Sequence, residues 1–268
     1  MPTVSSGGVE IDYEVQNADS PRLPVFFITG LPGVRAAWAN QMDAFTRRGP
    51  VVLHDHRGTG KSAKPLGVYS IETMASDVTA IMDAIGAEKA HLVGSSTGGA
   101  IAQLLCIERP ERVQSATLAG TWPRSDHYFR RQFTLRKRIL LEIGVEAYTR
   151  HAACTVYAPK YVNDNQEMLE KWVQLGTENS PSAEVVAERI DAIIAHDQME
   201  RLGKIQAPTL ILVARDDSVT PPYYAEQLRG AIAGAELEVF PEGGHLFFQP
   251  HAAAFNAAVL KFIGRCEP

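Results

Sequence analysis

Cysteine is scarce in this chain. Three occur in 268 residues, Cys106, Cys154 and Cys266, odd in number and widely spaced. That argues against a disulfide-stapled scaffold and fits reduced thiols in a cytoplasmic protein. Metal-ligand spacings such as Cys-x-x-Cys or His-Glu-x-x-His are absent, so no metal site is expected. Positive charge is in deficit. With 26 Lys and Arg against 31 Asp and Glu, the net charge is -5, which gives no electrostatic reason to expect nucleic acid or an anionic membrane as partner. Long apolar runs are missing, and the polar start from Met1 to Asp12 lacks a basic segment followed by an apolar one. Neither a signal peptide nor a membrane span is expected. Internal repeats and low-complexity tracts are also lacking. What remains is a chain with 45% hydrophobic residues, enough for one large core, or for one domain carrying an insertion.

The stretch His91 to Ala100 holds the most specific pattern. The apolar Leu92-Val93 ends at Gly94, and Gly-x-Ser-x-Gly follows as Gly94-Ser95-Ser96-Thr97-Gly98. An amphipathic helix is expected from Ala100 to Ile107. Glycines on both sides of a sharp strand-to-helix turn let the two elements pack closely around a strained central residue. Ser96 then projects its hydroxyl at a helix N-terminus, whose free N–H groups favour negative charge. Ser95 has no such frame, because Val93 and Thr97 flank it.

Around this stretch, strand and helix patterns alternate. Val9–Val15 alternates apolar and polar residues, as a half-exposed antiparallel edge strand does. Val25–Ile28 and Val51–Leu53 are continuous apolar runs suited to strands covered on both faces. A helix is expected over Ala36–Phe45, and a regular 3.6-residue stripe runs from Ile71 to Ile85, ending at Gly86. Val113–Ala119 reads as a strand. From Trp122 to about Arg201 only helical patterns appear, near 127–143, 145–155, 165–176 and 183–195. Strands return at Thr209–Val213 and Leu237–Phe240, with helices near 222–233 and 251–263. The expected class is α/β: a mostly parallel sheet with helices on both faces and a helical cap insertion. Residues 1–121 and 204–268 would form the core and 122–203 the cap.

In such sheets function gathers beyond the carboxyl ends of the strands. A serine hydroxyl needs a general base there, and the base an orienting acid. Two strand-end loops supply them. Ala214-Arg-Asp-Asp-Ser-Val-Thr-Pro221 offers Asp217, with Asp216 expected to serve the turn, and Pro241-Glu-Gly-Gly-His245 offers His245. His251 is the main rival for the base. The backbone N–H groups of Thr97 and of Leu31, in Thr29-Gly-Leu-Pro-Gly33, are candidate donors to an oxyanion.

These residues carry a family resemblance. Gly-x-Ser-x-Gly at 94–98, the turn at 29–33, Asp-x-Arg-Gly-x-Gly-x-Ser at 55–62 and the two loops resemble the α/β-hydrolase fold superfamily from Val9 to Ile263. Thr29 departs from it, standing where many members have His. The cap entry Ala119-Gly-Thr-Trp122, leading into an arginine-rich helix, resembles the aminoacrylate hydrolase and 3-oxoadipate enol-lactonase group. The expected activity is cofactor-independent serine hydrolysis of a small carboxylic ester or lactone by Ser96, His245 and Asp217. C–N hydrolysis of a small acrylate-type compound and C–C hydrolysis use the same triad, and a receptor-like protein with little turnover is the alternative of another class. Trp122, Leu246, Arg130 and Arg131 are candidate substrate contacts; an arginine facing the pocket would clamp a substrate carboxylate. The expected partner is a small-molecule ester, lactone or related carbonyl substrate, with neither nucleic acid nor membrane, and the chain would be a monomer or homodimer.

Overall fold

The apolar runs assemble into a single sheet in a computed structural model that describes residues 2–267. Its strands are β1 (Thr3–Ser6), β2 (Val9–Gln16), β3 (Val25–Ile28), β4 (Val51–His54), β5 (Ala90–Ser95), β6 (Val113–Ala119), β7 (Thr209–Ala214) and β8 (Glu236–Phe240). Their spatial order is β1-β2-β4-β3-β5-β6-β7-β8. The β1–β2 and β2–β4 pairs are antiparallel and the others parallel. The expected edge strand at Val9–Val15 is therefore second from the edge. Thr3–Ser6 pairs outside it. That segment is short, polar and largely exposed, so no apolar alternation announces it.

The helices are α1 (Met42–Thr46), α2 (Ile71–Ala84), α3 (Thr97–Glu108), α4 (His127–Arg138), α5 (Val145–Val156), α6 (Pro159–Asp164), α7 (Gln166–Glu178), α8 (Ala183–Ala195), α9 (Pro222–Ala231) and α10 (Ala252–Arg265). Successive strand residues point to opposite faces, and both faces here are apolar. Phe26 and Ile28 join the core beneath α2, α3 and α9, whereas Val25 and Phe27 pack with Trp38, Phe45 and the α10 stripe Phe255, Val259, Phe262 and Ile263. The segment expected as one helix at Ala36–Phe45 is a 3-10 turn, Arg35–Gln41, leading into α1; it buries the same Trp38 and Phe45. The expected amphipathic helix after the glycine pair is not amphipathic. Every α3 residue from Thr97 to Ile107 is buried, because α3 has neighbours all round.

Between β6 and β7 the chain is helical, from α4 through a π-helical turn at Ile139–Ile143 to α8 and a 3-10 turn at Met199–Lys204. No helix of the described residues is long and apolar enough to cross a membrane.

Strand order decides where a site can form. After β3 the chain moves to β4 on one side, and β5 then pairs with β3 on the other, with Ile28 opposite Gly94. This reversal opens a crevice at the carboxyl ends of β3 and β5. Registers Ser95–Ala119, Ala119–Leu212 and Ala214–Phe240 bring the loops after β5, β6, β7 and β8 to the same rim.

Candidate active site

Ser96 sits at the crevice with φ 52 and ψ -116. A non-glycine residue in such a region costs on the order of 1–3 kcal/mol, so its surroundings must hold it there. They do so through the backbone: Ser96 N–H donates to Ala119 O at 2.8 Å, and Ser96 O accepts from Gly99 N–H at 2.9 Å and the Thr121 hydroxyl at 2.8 Å. The flanking glycines are steric necessities. A Cβ at Gly98 would lie 2.0 Å from Ile28 O, and one at Gly94 would lie 2.2 Å from Gly98 O. The close approach of β3, β5 and α3 therefore requires Gly at both positions.

Asp217 and His245 meet at the neighbouring strand ends. His245 Nδ1 lies 2.9 Å from Asp217 Oδ2, with side chains 6% and 0% exposed. Asp217 Oδ1 accepts from Val219 N–H and Thr220 N–H, each at 2.8 Å, and Oδ2 also accepts from the Thr220 hydroxyl at 2.8 Å. A carboxylate bound this way is fixed in orientation. It holds the proton on His245 Nδ1 and leaves Nε2 with a free lone pair. Thr220 was not picked out from the sequence, although Asp-x-x-Thr in a polar turn is the spacing for such local bonds. Asp216 does more than shape its own turn: it accepts from Gly244 N–H at 2.9 Å and Gly243 N–H at 3.3 Å, tying the acid loop to the His245 loop.

Gly120 connects these pieces. A Cβ there would lie 3.4 Å from both Asp217 Oδ2 and the His245 ring, while the preceding carbonyl, Ala119 O, binds Ser96 N–H. Among the described residues no hydrogen bond joins Ser96 Oγ to His245; such contacts often tighten only when substrate binds. His251, the rival, caps the start of α10 with its ring centroid 6.3 Å from that of Phe240.

The turn at 29–33 also reaches Ser96. A Cβ at Gly30 would lie 3.3 Å from Ser96 Cβ and 3.8 Å from Ser96 Oγ. Thr97 opens α3, so its N–H is among those without an intrahelical acceptor. Beneath the turn lies Arg189, a residue with no assigned role in the sequence reading. It comes from α8, is 2% exposed, and donates to Leu31 O at 2.7 Å and Arg57 O at 2.6 Å. Burial draws its pKa down to about 10, so it stays charged at neutral pH. Its Nη2 also lies 3.4 Å from His56 Nδ1. Arginine can only donate, so His56 Nδ1 accepts, and His56 Nε2–H donates to the Thr29 hydroxyl at 3.3 Å. Burial, then the charges of His54 and Arg189, holds His56 well below its ordinary pKa, consistent with this neutral tautomer. One sequence feature pointed to Arg189: a lone arginine between Val186, Ile190 and Ile193 on the buried stripe.

The remaining candidates divide between the core, the surface and the His245 loop. Trp122 is fully buried, stacked on Phe129 with centroids 4.4 Å apart and edge-on to His196. Arg130 and Arg131 are exposed and share a surface hollow with Thr134, Leu135 and Arg138. The reason is helical phase: α4 buries Phe129, Phe133 and Arg136, which turns positions 130 and 131 outward. Neither candidate arginine faces inward as a clamp would require. Leu246 follows His245, is half-buried, and its N–H donates to Val156 O at 3.0 Å.

The sheet order, the strained Ser96 turn and the rim loops define an α/β hydrolase. The family model of the alpha/beta hydrolase fold matches residues 24–252, and the chain belongs to that family. A protein of Azorhizobium caulinodans named "Putative carbamate hydrolase RutD" is 35% identical over 267 residues, spanning 100% of both chains. One of the same name from Caulobacter sp. (strain K31) is 35% identical over 263 residues, spanning 97% of this chain and 98% of its own. The enol-lactonase from Burkholderia xenovorans LB400 superposes with a TM-score of 0.91 at 23% identity, covering 98% of this chain and 100% of that one. At that identity the likeness is one of fold.

Proposed function

We propose that this α/β hydrolase is a cofactor-independent serine hydrolase that cleaves a small carboxylic ester or lactone through an acyl-enzyme. Ser96 Oγ attacks the carbonyl carbon while His245 Nε2 takes the hydroxyl proton. Asp217 orients the imidazole and stabilises the imidazolium. The N–H groups of Leu31 and Thr97 receive the oxyanion, Nε2–H protonates the departing oxygen, and water activated by the same histidine releases the acid. Residues 122–203 serve as a cap over the crevice. The observation that carries this reading is the 2.9 Å Asp217–His245 bond beside Gly120, next to the carbonyl that holds Ser96.

C–N hydrolysis is the second reading, favoured by the relatives named as carbamate hydrolases over nearly their whole length. The same residues serve it, with His245 protonating nitrogen instead of oxygen. Steady-state kinetics on matched methyl esters, γ-lactones, enol-lactones and N-unsubstituted carbamates decides between them. The ester or lactone assignment predicts the highest kcat/KM with an oxygen leaving group and loss of turnover in Ser96→Ala. A carbamate preferred about ten-fold or more over its matched ester overturns it.

A further inference from the structure

The arginine-rich helix does send one guanidinium inward, at Arg136. This residue is 5% exposed, and its guanidinium carbon lies 4.9 Å from the Phe133 ring centroid and 5.6 Å from that of Tyr148. The other two buried arginines have acceptors: Arg57 pairs with Asp77, and Arg189 with two carbonyls. The Arg136 side chain forms no hydrogen bond or ion pair among the described residues, and its buried Nε has no partner. Beside it on α4, Gln132 Oε1 is buried without a partner, and so is His151 Nδ1 on α5. A buried cation without an acceptor is costly, and an anion entering beside it relieves that cost.

The two helices that carry these groups converge on the acid loop. Gln132 Nε2 donates to Ser218 O at 3.0 Å, the Tyr128 hydroxyl donates to the same oxygen, and the Ser218 hydroxyl donates to Thr155 O at 3.1 Å. Ser218 adjoins Asp217. Arg136 stands one helical turn beyond Gln132, roughly 6 Å along α4. Tyr148 and His151 share an α5 face with Thr155, at helical spacing. Tyr148 also lies within electrostatic range of Arg189, which grips the Leu31 turn. The Arg136 guanidinium, between Phe133 of α4 and Tyr148 of α5, thus sits where these two helices meet, and both helices are tied to Ser218 beside Asp217.

We infer that the α4/α5 junction at Arg136 binds the carboxylate of an anionic acyl substrate, with the Arg136 guanidinium as receptor and His151 and Gln132 as its neutral partners. The inference rests on the hydrolase reading above. A planar fork between two aromatic rings matches a flat, monoanionic carboxylate. Burial and the Arg136 charge hold His151 below its ordinary pKa, so its imidazole is a neutral hydrogen-bonding partner for the ligand.

The test compares monomethyl succinate with the neutral isostere methyl 4-methylpentanoate. Wild type should prefer the anion in kcat/KM, and Arg136→Met should reduce that preference about 10- to 100-fold, mainly through KM, while leaving the neutral ester within about two-fold. Equal losses on both esters, or an unchanged preference, overturn the receptor. Calorimetric titration of wild type with butyrate and butyramide gives a readout independent of turnover and of whether the variant folds. Butyrate binding at least about ten-fold tighter supports the receptor; equal binding overturns it. Wild type that binds butyrate selectively but hydrolyses neither ester counts against the ester reading and leaves the receptor standing.

Discussion

Replacing Asp217 with Asn tests the site at its most constrained atom. Asp217 Oδ1 accepts two backbone N–H groups, from Val219 and Thr220, both at 2.8 Å. An amide nitrogen cannot replace it there without facing two donors, so the Asn oxygen keeps the Oδ1 position. The amide NH2 then falls at Oδ2, 2.9 Å from His245 Nδ1. Because NH2 donates, His245 Nδ1 must accept, its proton moves to Nε2, and the lone pair that should receive the Ser96 proton is gone. The side chain is nearly isosteric, and the Thr220 hydroxyl can rotate to accept from the new donor, so stability should change little. A tautomer error of this kind lowers kcat by about 10⁴ in a Ser-His-Asp enzyme, roughly 5 kcal/mol of barrier. The assay is kcat on a neutral methyl ester with thermal unfolding as control. The contrast is Asp216→Asn, whose acceptors face only Gly243 and Gly244 N–H and which should lose far less. Asp217→Asn within about ten-fold of wild type, with the fold intact, would refute the assignment of Asp217 as the orienting acid.

Other consequences follow from buried charge. The Arg57–Asp77 pair, bonded at 2.8 and 2.6 Å with side chains 4% and 1% exposed, anchors the 55–62 loop to α2. Asp77→Ala strands the guanidinium and should cost about 3–5 kcal/mol, read as a lower urea midpoint at unchanged m. Burial chiefly depresses His54, His91 and His196 to a pKa of about 4 each. The unfolded chain takes up these protons near pH 6.5 and the folded one does not. Stability is therefore full above pH 6.5 and lost as pH falls toward 4, by about 1.4 kcal/mol per pH unit per proton; urea titrations at pH 7, 6 and 5 measure it, and a flat profile contradicts it. Arg189→Met frees the Leu31 and Arg57 carbonyls and should lower kcat about ten-fold or more on neutral and anionic esters alike, since it acts on the turn proposed to receive the oxyanion and not on substrate charge. An effect on anionic esters alone would contradict that role.

Some of this site was legible because its constraints are local. Gly94 answers to the backbone of Gly98 and Gly99, within reach of a five-residue pattern, although Gly98 itself answers to Ile28 and Thr29 on the neighbouring strand. Asp217 and His245 could be ranked because each closes a short loop after an apolar run. Alternation between strand and helix periods was enough for the sheet, but the polar Thr3–Ser6 strand left no trace in it. Long-range phase was the hard part. In α4, five cations crowd one short helix from Arg130 to Arg138, and only the burial of Phe129 and Phe133 decides that Arg136 turns inward while Arg130 and Arg131 turn out. Arg189 escaped notice for a related reason. Its partners are carbonyls more than 130 residues away in the chain, and no side-chain pattern records a carbonyl.

The central claim is that Ser96 is a nucleophile activated at the crevice between β3 and β5. The direct test is covalent labelling with a fluorophosphonate, followed by peptide mass spectrometry. The account predicts stoichiometric modification on the peptide carrying Ser96, abolished in Ser96→Ala and slowed in His245→Ala. Wild type left unlabelled, or labelling undiminished by Ser96→Ala, would contradict it.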